Sequence, residues 1–331
     1  MTSDRSRHAT AHRLDADAIP VIDIGPLRDG SDPQGVAAAL YRASRDVGFL
    51  YVANHGIPAF VLAQAQSQAM AFFRRPPSAK QSVAISAQHR GFLSMGAARM
   101  QRDLLPDLKE SFVWGYEDAR GQTPQDHPLR GANRWPQDMP ELRAAALAFY
   151  TQADAVARQL LEGFALGLGQ APNLFLQTSS RPMSRAAFVY YPAQPATSGA
   201  EQFGVGPHTD FGVLTVLCQD DTGGLQVQHA DGRWVHAPPI ADTLVVNVGD
   251  LLARWTGHRC RSTPHRVVNR SGRERLSLVL AFDPDPDTVI DPRALFPDAA
   301  DTSAPIRCGD YLQWRFGQSF DYREPAATHP A

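Results

Sequence analysis

The spacing of hydrophobic residues changes near the middle of the chain. Between Met139 and Leu168, apolar residues recur at helical spacing, and this pattern predicts one long amphipathic helix. From Ala186 onward, the apolar residues form short runs separated by glycine, proline or charged turns. The runs are AAFVYY, VLTVLC, GLQVQH, WVHA, TLVVNV, HRVVN and LSLVLAF. Closely spaced short strands of this kind are typical of a β-sandwich or β-barrel.

The first half of the chain mixes short strands with helices. Residues 1–17 are polar and aperiodic, and we expect a disordered tail there. Strands are predicted at 19–24 and 49–52 from their apolar content. Asp32, followed by Pro33, is typical of a helix start, and this helix is expected to stop at Gly48. A further helix is expected between Pro58 and Pro76, so helices should surround a C-terminal barrel.

The charge balance limits the classes of partner. The 331 residues contain 32 Lys and Arg against 34 Asp and Glu, and the net charge is −2. A nucleic-acid or membrane-surface protein needs a clustered basic excess, which this chain lacks, so we expect a small-molecule partner. The sequence gives no indication of the oligomeric state.

Cysteine usage and the N-terminus indicate the compartment. The three cysteines, Cys218, Cys260 and Cys308, are widely spaced and form no CxxC pair, so neither a disulfide framework nor a thiolate metal site is predicted. The N-terminus has no apolar segment typical of a secretory signal, and no apolar run approaches about 18 residues. We therefore expect a cytoplasmic protein.

The His208-Thr209-Asp210 sequence is the sharpest candidate for metal binding. On an extended segment, His208 and Asp210 project to the same face, and the closure of a barrel can bring a distant strand beside them. His265, which is 265 − 210 = 55 residues later, opens such a strand. Two imidazoles and one carboxylate form the facial triad of non-haem Fe(II) oxygenases, which leaves coordination positions for a chelating co-substrate and O2. An isolated His-X-Asp is more often a capping pair or a surface polar group.

Arg275 and Ser277 strengthen the metal-site hypothesis. They lie on one face of a predicted strand, where a guanidinium and a hydroxyl can bind a carboxylate together. The alternative for Arg275 is a salt bridge with Asp283 or Asp285.

Longer segments resemble one known family. HTD, VVNVGDLLARWTGHRCRSTPHRVVN and RERLSLVLAFDPDPD are similar to the isopenicillin N synthase-like Fe(II)/2-oxoglutarate-dependent dioxygenases. IPVIDIGPL, GFLYVANHGIP, RGF and DLKESF are similar to the N-terminal region of that group. The resemblance covers roughly residues 19–325, and the order and spacing of its motifs agree.

The resemblance implies a fold and its division. We expect an α+β protein with a mainly β core, a double-stranded β-helix or jelly roll with flanking helices. The predicted divisions are a tail at 1–17, a helix-rich N-terminal region at 18–180 and the jelly-roll core at 181–325, the last two forming one compact unit. Asn247, Gly249 and Asp250 are interpreted as a structural turn.

The resemblance also implies roles for individual residues. His208, Asp210 and His265 would ligate iron, and Arg275 and Ser277 would bind the distal carboxylate of 2-oxoglutarate. The predicted role of Tyr191 is contact with the co-substrate or the substrate carboxylate, and the alternative is a barrel-wall aromatic. Many relatives carry Asn two positions before that tyrosine, where this chain has Val189; one hydrogen bond to the co-substrate is therefore not expected.

The expected reaction is oxidation of a small organic substrate by Fe(II), 2-oxoglutarate and O2, with release of succinate and CO2. The outcome could be hydroxylation, desaturation or cyclisation, and an amino acid, a peptide or a secondary-metabolite intermediate would each fit. One alternative is a 2-oxoglutarate-independent oxidase of the isopenicillin N synthase type, in which Arg275 and Ser277 bind the substrate. Others are a non-catalytic β-barrel binding protein and a Zn2+ or Mn2+ hydrolase or isomerase.

Substrate contacts are expected from residues 90–117 and from the tail at 311–322, by analogy with relatives. Apolar and basic side chains in the first segment could meet the substrate, although each is more often a packing residue or a solvated charge. The candidates are Phe92, Met95, Arg99 and Trp114, with Met100 and Arg102 nearby.

Overall fold

The fold consists of two facing β-sheets with helices against the larger one. It is described from a computed structural model for residues 19–98, 105–194, 202–299 and 304–320. The described helices are α1 (Gly25–Arg28), α2 (Pro33–Asp46), α3 (Ala59–Phe73), α4 (Pro77–Gln81), α5 (Pro140–Gly167), α6 (Asp250–Trp255), α7 (Pro292–Leu295) and α8 (Cys308–Ser319). Within the described ranges, no helix has the length and apolar content that crossing a membrane requires.

The strands form a large and a small sheet, and a separate two-stranded ribbon. They are β1 (Val21–Asp23), β2 (Phe49–Ala53), β3 (Gly91–Leu93), β4 (Glu110–Gly115), β5 (Arg185–Tyr191), β6 (Val205–His208), β7 (Leu214–Gln219), β8 (Leu225–Gln228), β9 (Trp234–His236), β10 (Thr243–Val248), β11 (His265–Val267), β12 (Arg275–Phe282), β13 (Val289–Ile290) and β14 (Ile306–Arg307). The large sheet has the order β1-β2-β10-β7-β12-β5-β4-β3, and the small sheet has the order β6-β11-β8-β9. The predicted jelly roll with flanking helices is confirmed.

The N-terminal region completes the large sheet. Strands β1 and β2 extend it on one side and β3 and β4 on the other, around the four strands β10, β7, β12 and β5 of the C-terminal region. The region 18–180 and the core 181–325 therefore share one sheet.

Strand alternation divides most of the buried hydrophobic residues between two main clusters. In β12, Leu276, Leu278 and Leu280 face the helices and belong to the larger cluster, which α5 covers. In β10, Val245 faces the other way, into a smaller cluster between the sheets. Each fully buried leucine contributes roughly 1.5–3 kcal/mol through burial. The polar residues of the candidate site converge on a cavity between the sheets.

Most predicted boundaries agree with the structure. Helix α2 begins after Asp32, whose side chain accepts a hydrogen bond from the Gly35 N–H, and Gly48 follows its end with φ +75°. The helix expected to reach Pro76 ends at Phe73, and Pro77 opens the short α4. The turn interpretation of 247–250 is wrong, because Asn247 lies within β10 and Asp250 begins α6.

Candidate metal centre

Two of the predicted ligands lie where strand β6 ends. His208 is the last residue of β6, and Asp210 follows it outside the strand. Nε2 of His208 lies 3.8 Å from Oδ1 of Asp210, so the two candidate ligand atoms face the same space. The hydroxyl of Thr209, between them, donates instead to Oδ2 of Asp250 at 3.2 Å. The side chains therefore alternate as the sequence pattern predicts.

Strand pairing brings His265 to the same point. His265 opens β11 and is the direct register partner of His208 in the antiparallel β6–β11 pair. The centroids of the two imidazole rings are 4.2 Å apart, and Nε2 of His265 lies 3.8 Å from Oδ1 of Asp210. One atom from each of the three side chains lies within 4.8 Å of the others. Strand pairing in the barrel thus brings His265 next to Asp210, although the two are 55 positions apart in the sequence.

Backbone carbonyls fix the tautomers of both imidazoles. Nδ1 of His208 lies 2.8 Å from the Gly206 carbonyl, and Nδ1 of His265 lies 3.2 Å from the Thr263 carbonyl. A carbonyl only accepts, so each Nδ1 carries the proton and each Nε2 presents a lone pair. Burial, reinforced by His265, holds the pKa of His208 well below its usual value, which favours the neutral imidazole.

Asn247 fixes the carboxylate of Asp210. Its side-chain amide donates to Oδ2 of Asp210 at 2.7 Å, which leaves Oδ1 facing the two imidazoles. Burial opposes ionisation of Asp210, but His265, His208 and hydrogen bonds from Thr215 and Asn247 outweigh it, so the pKa of Asp210 lies below its usual value. The sequence interpretation missed this role. The available signal was a single amide in the buried run TLVVNV.

Arg275 is buried without an anionic partner among the described residues. Its side chain is 1% exposed, and Nε donates to the Gly223 carbonyl at 2.6 Å. Nη1 and Nη2 have no hydrogen-bond partner among the described residues. The predicted alternative of a salt bridge is wrong, because Asp283 pairs with Arg185, and Asp285 receives hydrogen bonds from residues 180 and 181. A buried guanidinium with two unpaired nitrogens calls for an anionic partner, which the described residues do not supply.

Ser277 and Tyr191 lie on the same face of the large sheet as Arg275. Ser277 lies two residues after Arg275 on β12, is 1% exposed, and its hydroxyl has no partner among the described residues. Tyr191 is the register partner of Arg275, whose guanidinium carbon lies 4.7 Å from the centre of the phenol ring. Val189, the register partner of Ser277, contributes an apolar side chain to the cavity wall.

One cavity connects the two groups of residues. Its volume is about 210 Å3, and His208, Asp210, His265, Arg275 and Tyr191 all line it. The donor set of two imidazoles and one carboxylate fits an octahedral Fe(II) ion, and the unpaired guanidinium fits the free carboxylate of a diacid.

Comparisons with known proteins agree with this geometry. Residues 19–138 match the family model described as the N-terminal region of a non-haem dioxygenase in morphine synthesis, and residues 182–284 match the 2OG-Fe(II) oxygenase superfamily. A homoarginine-6-hydroxylase of Glycine max is 31% identical over 297 residues, which cover 84% of this chain and 89% of the relative. The chain belongs to the isopenicillin N synthase-like Fe(II)/2-oxoglutarate-dependent oxygenases.

Further relatives cover most of this oxygenase. The validamycin A dioxygenase of Streptomyces hygroscopicus subsp. limoneus is 32% identical over 84% of this chain and 80% of its own length. A full-length Neurospora crassa protein, whose crystal structure was determined in complex with alpha-KG, has a TM-score of 0.79 at 28% identity. The match covers 93% of this chain and 98% of the Neurospora chain. The protein is therefore an enzyme that uses Fe(II), 2-oxoglutarate and O2.

Two of the predicted substrate contacts lie elsewhere in this oxygenase. Phe92 and Trp114, 3% and 0% exposed, belong to the cluster on the helix side of the large sheet, where Trp114 packs 4.5 Å from Phe188. They face away from the cavity, so their prediction as substrate contacts is wrong. Met95 is 43% exposed, and Arg99 lies outside the described residues, as do Met100 and Arg102.

Other side chains line the metal cavity in place of Phe92 and Trp114. Helix α8 contributes Phe316, and Phe320 follows it, as the expectation for the C-terminal segment indicates. Lys109, Arg185 and His89 also line the cavity and were missed by sequence reasoning. Arg185 begins the AAFVYY strand, and alternation with Tyr191 was the signal that could have found it.

Proposed function

We propose that this oxygenase binds Fe(II) through Nε2 of His208, Nε2 of His265 and Oδ1 of Asp210. The observation that carries this proposal is the convergence of the three atoms in one cavity that also contains the unpaired guanidinium of Arg275. Three protein ligands on one face leave room for a bidentate co-substrate and O2.

Arg275 and Ser277 are proposed to bind the distal carboxylate of 2-oxoglutarate. The guanidinium offers two parallel donors, and the Ser277 hydroxyl adds a third from the same face of β12. Because both groups are already buried, the bound carboxylate gains charge-assisted hydrogen bonds without ordering a flexible loop. The ring of Tyr191 holds the guanidinium in place from one side.

When bound, Fe(II) and 2-oxoglutarate supply O2 activation, with the overall reaction R–H + 2-oxoglutarate + O2 → R–OH + succinate + CO2. The chain orients these reactants and excludes water from them. Carbonyl-fixed imidazoles keep their lone pairs directed at the metal, and Asn247 keeps Oδ1 of Asp210 in the same position. Desaturation and ring closure remain proposed variants of the same oxidation.

The proposed substrate is a small organic molecule. The names of the relatives refer to homoarginine and validamycin A. A further crystal structure of the Neurospora crassa protein, 27% identical with a TM-score of 0.79, contains alpha-KG and thymine. The small cavity next to Asp210, with Phe211, Phe316 and Phe320 in its wall, supports a ligand of this size.

Anaerobic titration tests this proposal. We expect the protein with Fe(II) and 2-oxoglutarate to develop a weak visible charge-transfer band, and to form succinate after O2 is admitted. His265→Ala should lose both signals while its circular dichroism spectrum stays that of a folded protein. Absence of the band and of succinate in the unaltered protein would contradict the proposal. Formation of product with Zn2+ in place of Fe(II) would favour the hydrolase or isomerase alternative.

The kinetics of an Arg275 variant distinguish a 2-oxoglutarate-dependent oxygenase from a 2-oxoglutarate-independent oxidase of the isopenicillin N synthase type. If Arg275 binds 2-oxoglutarate, substitution by Ala should mainly raise the KM for 2-oxoglutarate. An effect confined to the KM of the primary substrate would favour the isopenicillin N synthase-type branch.

A further inference from the structure

Arg185 lies at the opposite end of the metal cavity from Arg275. The two arginines are on neighbouring strands, where Tyr191 pairs with Arg275 and Arg185 pairs with Ala281. Six residues of strand separate Arg185 from Tyr191, about 20 Å at a rise of about 3.3 Å per residue. The guanidinium of Arg275 lies against Tyr191, and that of Arg185 lies 4.5 Å from the ring of Phe316 on α8. The two cations therefore serve different parts of the cavity.

Arg185 forms an ion pair with a buried acid that does not line the cavity. Nη1 of Arg185 donates to Oδ2 of Asp283 at 2.7 Å, and Asp283 is fully buried. Oδ1 of Asp283 accepts from the backbone N–H of Val213, three residues after Asp210. Asp283 does not line the cavity, whereas Arg185 does. The ion pair thus presents its positive end to the cavity, with Nε and Nη2 bonded to none of the described residues.

The charges that face the cavity are mostly positive. Its wall includes Arg185, Lys109 and Arg275, and the acid among its described lining residues is Asp210. The charges of the proposed Fe(II) ion, the 2-oxoglutarate dianion, Asp210 and Arg275 together sum to zero. Arg185 and Lys109 remain, each paired with an acid outside the lining; for Lys109 this acid is Asp107, 3.4 Å away. A neutral ligand would leave the remaining, cavity-facing donors of these two cations desolvated without a second charged acceptor.

The wall around Arg185 is aromatic. The rings of Phe211 and Phe316 are 5.9 Å apart, and Phe316 stacks with Phe320 at 5.2 Å. All three line the cavity on the side of Asp210. A cation with free donors beside an aromatic wall matches a ligand with an apolar body and a carboxylate at one end.

We propose that the substrate is a carboxylic acid with an apolar body, and that Arg185 anchors its carboxylate at the end of the cavity remote from Arg275. This inference rests on the proposed function, because it assigns Arg275 to 2-oxoglutarate and Asp210 to iron. Arg185 is a specificity-determining residue in this arrangement. Its buried partner Asp283 positions the guanidinium and holds it next to the loop that carries Asp210.

The test measures binding of matched probes to the anaerobic enzyme with Fe(II) and 2-oxoglutarate. The probes are 3-phenylpropanoate and 3-phenylpropanamide, which have the same shape and differ in charge. Binding is followed by the change in the circular dichroism of the metal absorption bands. We expect the acid to bind at least about tenfold more tightly than the amide, the ratio typical of one charge-assisted hydrogen bond. Equal binding, or no binding of the acid up to 50 mM, taken as roughly the weakest specific contact worth detecting, would overturn the proposal.

Variants identify the anchoring cation. Arg185→Gln alone would leave Asp283 buried without its partner, so the double variant Arg185→Gln/Asp283→Asn removes the pair together. We expect this variant to lose the preference for the acid and Asp283→Asn alone to keep it. Loss of the preference in Lys109→Gln, but not in the double variant, would contradict the assignment to Arg185.

The circular dichroism bands of the metal complex distinguish failure of this inference from failure of the proposed function. If the bands of the Fe(II) and 2-oxoglutarate complex never form, the proposed function fails. If they form but do not distinguish the acid from the amide, only the substrate inference fails.

Discussion

The side-chain amide of Asn247 donates a 2.7 Å hydrogen bond to Oδ2 of Asp210 and so determines which carboxylate oxygen faces the two imidazoles. Such partners orient metal ligands, and their loss typically weakens metal binding about 10- to 100-fold. Asn247 lies in β10 of the large sheet, whereas Asp210 follows β6 of the small sheet. The hydrogen bond therefore joins the two sheets at the metal site.

Asn247→Ala should weaken Fe(II) binding about 10- to 100-fold, because Asp210 loses the donor that orients it. Anaerobic calorimetric titration measures this affinity. Asn269→Ala is the matched control, since Asn269 is an equally buried amide that donates to the carbonyls of Pro192 and Arg273. An unchanged affinity in Asn247→Ala, or an equal loss in both variants, would argue against this role of Asn247.

Arg275→Met should cost little stability in the absence of ligands. The substitution loses the hydrogen bond to Gly223, about 1 kcal/mol, but removes a buried charge that no described acid neutralises. The variant should lose stabilisation by 2-oxoglutarate, which for the unaltered enzyme amounts to about 2.7 kcal/mol at a concentration 100 times the Kd. Thermal unfolding with and without 2-oxoglutarate measures both effects. A large loss of stability without ligand would mean that Arg275 is structural.

Tyr311→Phe should weaken the attachment of helix α8 to the segment that carries His208, Thr209 and Asp210. The Tyr311 hydroxyl donates to Oδ2 of Asp250 at 3.0 Å, and the same oxygen accepts from Thr209 between the two metal-facing side chains. We expect a loss of about 1–2 kcal/mol in the free energy of unfolding. Because α8 carries Phe316, the KM for the primary substrate should rise while the KM for 2-oxoglutarate stays constant. A rise confined to the KM for 2-oxoglutarate would contradict this assignment of the two ends of the cavity.

His55 should make the fold sensitive to mild acid. Its Nδ1 accepts from the Ile57 N–H at 3.1 Å, and burial, followed by the charge of Arg28, lowers its pKa below the usual 6.5. The unfolded state therefore binds a proton at higher pH than the folded state, and stability falls as pH drops below about 6.5.

His55→Asn should reduce this dependence, because the Asn oxygen can accept the same N–H without titrating. Denaturant unfolding between pH 7 and pH 5, a range set by the usual histidine pKa of about 6.5, measures the difference in slope between the two proteins. Equal slopes would contradict the role of His55.

The sequence predicted those parts of the site that lie on continuous patterns. Alternation along the extended segment at the end of β6 places His208 with Asp210, and alternation along β12 places Arg275 with Ser277. No tertiary information is needed for either pair. Pairing of His265 with His208 depends on the β6–β11 register. The resemblance to relatives implied that both residues ligate iron, but it did not give this register.

Burial on both faces of the large sheet explains why the sequence pattern could not place Trp114. In β4, residues 111–115 are all buried, so hydrophobicity cannot tell which face meets the helices. The expectation that Trp114 contacts the substrate came from the analogy with relatives, and the hydrophobic pattern could not correct it. Helix α8 was not predicted from the sequence. Gly309 and Gly317 interrupt its apolar helical spacing, and no side chain caps its first turn.

Diffraction from crystals grown anaerobically with 2-oxoglutarate and Mn(II), as a stand-in for Fe(II), can locate the metal and the co-substrate together. We expect one anomalous peak bonded to Nε2 of His208, Nε2 of His265 and Oδ1 of Asp210, with the distal carboxylate of 2-oxoglutarate against the guanidinium of Arg275. A peak that lacks any of these three ligands, or a 2-oxoglutarate molecule bound away from Arg275, would contradict it.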